Sequence, residues 1–126
     1  MTERTDRELL ELAAKAAGIR LEWDGPTELW QPMYYEGKTY HAWDPLLDDG
    51  DALRLAVKLG FTVEIEGPEV RCPATIIHCA GLGGEILWER HGARPKYATR
   101  RAIVRVAATM AEGESDGKLD GTPKPD

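Results

Sequence analysis

No apolar run in this chain approaches the ~20 residues that a membrane-spanning helix needs. The first six residues, Met1 to Asp6, have neither the basic start nor the apolar centre of a secretory signal. Both absences predict a cytoplasmic protein with no membrane partner. Cysteine is scarce: Cys72 and Cys79 are the only two. A disulfide between them would close a short loop, and cytosolic thiols are kept reduced, so both are expected as free thiols. Positive charge is also short. Sixteen Lys and Arg face 22 Asp and Glu, a net charge of −6. That balance argues against a non-specific nucleic-acid coat, which needs a cationic surface, but allows a local basic patch.

What is present suits one globular domain. The 126 residues are too few for two ordinary domains, and 42% apolar with 30% charged residues is a globular composition. No internal repeat and no interdomain linker stands out.

Thr5-Asp6-Arg7-Glu8 has the form of a capping box. Leu9, Leu12, Ala13, Ala16 and Ala17 follow at helical spacing and Gly18 is a stop, so a helix is expected over about residues 6–17. Ile19, Leu21 and Trp23 alternate with polar residues as a half-buried strand does. Residues 29–35 and 39–43 flank Gly37 and predict a hairpin. Pro32 cannot donate to a ladder, which predicts that the first arm is an edge strand or irregular. Asp44-Pro45 bends the chain, and Asp48 or Asp49 caps a second helix that ends at Gly60. Its stripe of Ala52, Leu55, Ala56 and Leu59 is widened by Leu53 and Val57, which predicts burial over more than one face.

Phe61, Val63 and Ile65 alternate with polar residues and open a three-strand antiparallel meander that runs through 70–79 and 85–90. A last helix is expected over about 97–111, with Thr99, Ile103, Val106, Ala107 and Met110 on its buried side. From 112 to 126 the composition turns polar and acidic, which predicts a disordered tail after a domain of residues 1–111. The fold class expected is α+β: an antiparallel sheet of about five strands with three helices, sandwich-like in α-β-α order.

The candidate chemistry divides in the same way. Cys72, His78 and Cys79 make one loose group, without the paired ligand spacing of a zinc site, so no metal is expected. The glycines at 81, 83 and 84 follow a strand without opening a helix, which is the context of a turn and not of a phosphate loop. Helix capping accounts for Asp48, Asp49 and Asp51. Aromatics are concentrated early: Trp23, Trp30, Tyr34, Tyr35, Tyr40 and Trp43, with Trp88 later. Flat rings beside arginines suit planar anionic ligands, by stacking and by bidentate phosphate contacts. The expected ligand site therefore comprises Tyr40, Trp43, Arg94, Tyr97, Arg101 and Arg105, with Arg100 nearby.

Residues 6–19 (DRELLELAAKAAGI), 43–59 (WDPLLDDGDALRLAVKL) and 98–108 (ATRRAIVRVAA) carry a resemblance. Their layout of helix, Trp-x-Pro turn, helix, strands and late helix with Ala-x-x-Arg-Ala resembles the phage "ABA sandwich" domain of small phage and prophage proteins. The resemblance implies a three-layer arrangement and a mobile-element origin. It implies no catalytic residue and no cofactor. The expected role is a non-enzymatic accessory protein, self-associating in the host cytoplasm, that counters defence by sequestering a nucleotide-like immune signal. The alternatives are an inhibitor that blocks a host defence protein directly, a virion component, and a small hydrolase using His78 or His41 with nearby carboxylates.

Overall fold

The computed structural model describes the backbone of residues 4–24, 31–36, 39–79 and 84–120, and side chains within 4–22, 42–79 and 87–112. The protein is α+β. In chain order it has α1 (Asp6–Ala17), β1 (Leu21–Asp24), β2 (Gln31–Glu36), β3 (Thr39–Ala42), α2 (Asp49–Leu59), β4 (Thr62–Ile65), β5 (Ala74–Cys79), β6 (Gly84–Arg90) and α3 (Pro95–Asp120).

The local signals place the helix ends. Thr5 Oγ1 accepts from the Glu8 amide at 3.1 Å while Glu8 Oε1 accepts from the Thr5 amide at 2.9 Å. Asp48 caps α2 by accepting from the Asp51 amide at 2.8 Å. Gly18 and Gly60 close α1 and α2 in the left-handed region, at φ 71° and 74°, where a Cβ would be strained.

The described strands form two three-stranded antiparallel sheets, ordered β1-β2-β3 and β4-β5-β6, rather than one sheet of about five. Each group closes on itself through sequential antiparallel pairing, and α2 separates the groups along the chain. β2 is the central strand of its sheet, not an edge. Pro32 is tolerated there because it lies opposite Trp23 of β1, while the pairing with β3 begins only at Met33.

α3 is the centre of the fold. It packs on β5 and β6 on one side and on α1 and α2 on the other. Ala98, Ala102, Ile103, Val104, Val106, Ala107, Ala108 and Ala111 are all buried, so burial extends around most of its circumference. Alanines of α1 (Ala13, Ala14, Ala17) share the core with Ala102, Ala107 and Ala108, small side chains that let two backbones approach closely. The helix begins at Pro95, a favoured first position, and runs to Asp120, beyond the expected end at 111. Extending a packed helix adds one hydrogen bond per residue without a new nucleation cost. Residues 121–126 lie outside the described residues.

α2 buries one face only: Ala52, Leu55 and Ala56 are covered, whereas Leu53 and Val57 are 63% and 71% exposed. The wider stripe read from the sequence is thus apolar but not buried, because α3 covers α2 from a single side. Ahead of α2, Trp43, Pro45 and Leu46 are buried as a brace. The Asp44 amide donates to Asp51 Oδ2 at 2.9 Å, and Asp44 Oδ1 accepts from the Leu46 amide at 3.1 Å.

Two outcomes follow. Ile77 is fully buried among the helices, so Ile77→Ala is expected to cost about 2–5 kcal/mol in denaturant unfolding, against about 0.5 kcal/mol or less for Val57→Ala. The Asp44 carboxyl has its pKa raised, chiefly by burial, partly offset by the Leu46 and Leu47 amides, and reinforced by repulsion from Asp51 and Asp6. A proton held more tightly in the folded state stabilises it at low pH. That contribution is complete below the ordinary value of 3.8 and is lost as pH rises through the raised value. Asp44→Asn keeps an acceptor for Leu46 and cannot ionise. Its stability relative to wild type should rise between about pH 3 and about pH 7, as read by urea unfolding.

Candidate functional site

Three arginines of α3 point to three different neighbours. Arg100 Nε donates to the Leu46 carbonyl at 2.8 Å and its Nη1 to Asp49 at 2.6 Å, fastening the Trp43 brace and the start of α2. Arg101 donates to Asp6 of α1 at 3.2 Å and lies 3.4 Å from the Tyr97 hydroxyl. Arg105 pairs with Glu89 of β6 at 2.7 Å. Burial opposes the charge of Arg101, but the Asp6 hydrogen bond and the charges of Tyr97, Asp6 and Glu89 outweigh it and raise its pKa.

Arg101 and Arg105 do border one cavity, of about 200 Å³, together with Arg4. Arg4 is paired with Glu112. Each cation in that cavity therefore already faces a carboxylate of the protein, and an anionic ligand would have to displace it. Trp43 is only 4% exposed and belongs to the core, so it offers no stacking surface; it is removed from the candidate site. Arg94 lies over the Tyr97 ring at 4.7 Å, and the two border a shallow 300 Å³ depression with Lys96. The structure thus joins Arg94 to Tyr97, Tyr97 to Arg101, and Arg101 to Arg105, but does not bring Trp43 to any of them as a ring face. The side chains of Trp23, Trp30, Tyr34, Tyr35, Tyr40 and His41 lie outside the described residues.

A second concavity, of about 420 Å³, runs between α2, β4 and α3. Leu53, Ala56, Val63, Ile65 and Ile103 make it apolar, with Lys96, Thr99 and Arg100 among its lining. Thr99 Oγ1 is 2.7 Å from Thr75 Oγ1, which is 2.9 Å from His91 Nε2. Thr75 is fully buried and His91 nearly so. This chain of hydrogen bonds satisfies polar groups inside the domain and holds β5 against α3.

The third concavity lies on the sheet face turned away from α3. Thr75 and Ile77 face α3, so Ala74, Ile76 and His78 face the other way. In the β5–β6 register Trp88 lies opposite Ile76 and Arg90 opposite Ala74. Trp88 and Arg90 border a cleft of about 530 Å³ with Val70, Cys72 and Glu66. Trp88 is 58% exposed, although large and apolar. Among the described residues, Arg90 has no carboxylate within ion-pair distance, whereas Glu66 accepts from the Ala74 amide at 3.0 Å. His78 Nε2 is 3.2 Å from Glu64 on the same face.

The sequence reading put Trp88 among the aromatics but left Arg90 out. The signal was the period-2 spacing in β6: two residues apart on a strand, an aromatic and a cation share a face. The cysteines are free thiols, Cys72 exposed and Cys79 buried, and the described residues contain no cluster of three or more His, Cys, Asp or Glu that could hold a metal.

If Arg105 serves Glu89 and not a ligand, Arg105→Ala and Glu89→Ala should destabilise the fold non-additively. A double-mutant cycle in urea is expected to return a coupling on the order of 1 kcal/mol. A coupling indistinguishable from zero would remove the pairing from the account.

Comparison of the chain with protein-family models, with curated proteins and with solved structures found no match.

Proposed function

We propose that this is a non-catalytic accessory protein of the phage or prophage type, which acts by sequestering a planar, anionic, nucleotide-like signal of host defence. The kinship with the phage domain is part of the same proposal, supported by the order of α1, β1–β3, the Trp43–Pro45 turn, α2, β4–β6 and α3.

The ligand reading is carried by one observation: the half-exposed Trp88 ring and an uncommitted Arg90 border the same 530 Å³ cleft. A base has a π-face that stacks on the indole, and stacking of this kind is worth about 1–3 kcal/mol per base. The guanidinium supplies a forked donor set for a phosphate. The arginines of α3 are weaker candidates, because Asp49, Asp6 and Glu89 already satisfy them. Sequestration needs no reacting group. It requires only that the protein hold the signal tightly enough to lower its free concentration.

Titration with AMP and with a cyclic dinucleotide should quench tryptophan fluorescence. Trp88→Phe should abolish most of the quench, and Arg90→Ala should weaken binding about tenfold, the loss of one charge-assisted contact. Arg101→Ala and Arg105→Ala should leave affinity unchanged. Unaltered binding by a Trp88→Ala, Arg90→Ala double variant would refute the site.

A further inference from the structure

Among the described residues the strand β4 is an edge of its sheet, bonded to β5 alone in the order β4-β5-β6. The Glu66 amide donates to the Ala74 carbonyl at 3.0 Å, so Glu66 turns its backbone groups toward the β5 side. Backbone direction alternates along an antiparallel strand, so Glu64 and Thr62 do the same, while Phe61, Val63 and Ile65 turn theirs to the open edge. The Phe61 amide is already taken by the Ala56 carbonyl at 3.0 Å. The amides and carbonyls of Val63 and Ile65 point outward, with no backbone partner among the described residues. Beside them lie the exposed apolar side chains of Ile65 and Leu53, at the lip of the 420 Å³ groove, and Val57 one turn further along α2. An open edge next to exposed apolar surface is a surface for another strand.

We propose that this edge is the two-fold interface of a homodimer, in which β4 pairs antiparallel with β4 of a second copy, Val63 opposite Val63. The strand's own sequence suits that occupant, because its outward-turned positions are self-complementary in apolar character. A two-fold pair must match side-chain faces, so it centres on a residue; within β4 the central choices are Val63 and Glu64, and centring on Ile65 or Phe61 shortens the overlap. The Glu64 register sets two carboxylates directly opposite, an unfavourable arrangement. The Val63 register sets Phe61, Val63 and Ile65 against Ile65, Val63 and Phe61, and puts Thr62 opposite Glu64. Its central pair exchanges two hydrogen bonds between outward-facing Val63 groups, and the Ile65 amide meets the free Phe61 carbonyl. The two three-stranded sheets become one of six. The Leu53 and Val57 sides of the two α2 helices face across the axis, as an isologous contact requires. The Trp88–Arg90 cleft is on the opposite sheet face, so each copy keeps its own.

The direction of the Val63 amide gives a selective test. Val63→Pro removes a donor that the β5 ladder does not use, and proline is accepted on an edge strand in that orientation. Wild type is expected to be a dimer by native mass spectrometry and light scattering. Val63→Pro should retain the wild-type circular dichroism spectrum yet weaken the dimer about a hundredfold. Ile65→Lys should do the same through charge and is the deciding variant if Val63→Pro does not fold. A monomeric wild type overturns the proposal. So does a folded variant of either kind that remains as dimeric as wild type, or a larger assembly that survives both.

Discussion

Helix α3 has to be covered on nearly every side, and the rest of the domain is arranged to do it. Its valine, isoleucine and alanine residues leave no wide polar face between Ala98 and Ala111. A helix apolar nearly all round is stable in water only when buried. β5 and β6 cover one side, and α1 and α2 the other. The three arginines that interrupt the apolar surface each reach a different covering element. Arg100 holds the Trp43 brace and α2, Arg101 holds α1, and Arg105 holds β6. None is strongly stabilising alone, since pairs with an exposed partner contribute about 0–1 kcal/mol. Together they fix which face of α3 meets which neighbour.

That arrangement changes what the arginines mean. A row of cations on one helix invites the reading of an anion site. Here the cations lash neighbouring elements together, and their charge is spent inside the molecule. The proposed ligand surface lies on the far face of the β4–β6 sheet, where Arg90 has no carboxylate partner among the described residues. There a ring and a guanidinium sit two residues apart on one strand. The edge strand β4 of the same sheet is a separate feature, so the proposed binding and the proposed self-pairing would use different parts of one small sheet.

What the chain reveals by itself is mostly local. Thr5 with Glu8, Gly18, Asp48 and Gly60 state the ends of α1 and α2 because capping is decided within a few residues. The meander of β4, β5 and β6 is legible for the same reason: short turns force neighbouring strands to pair. Long-range facts were not legible. Arg101 meets a partner 95 residues away and Arg100 one 51 residues away, and no spacing rule reports such pairs. Leu53 and Val57 have the hydrophobicity of buried residues, but exposure depends on where α3 lies. Trp43 read as a platform because it follows an aromatic hairpin, whereas the Pro45 turn carries it into the core. Cys72 and the outward face of β5 gave no sign of a cleft, since its walls come from three separate segments.

The central claim is that the ligand surface is the outer sheet face and not the arginine side of α3. Nitrogen–proton correlation spectra of the labelled protein, recorded while AMP is added, test it most directly. Each tryptophan contributes one indole signal and each arginine an Nε signal. The account predicts progressive shifts for the Trp88 indole and Arg90 Nε, with the buried Trp43 indole and the Arg101 and Arg105 signals unmoved. Shifts concentrated on Arg101 and Arg105, with Trp88 unaffected, would contradict it.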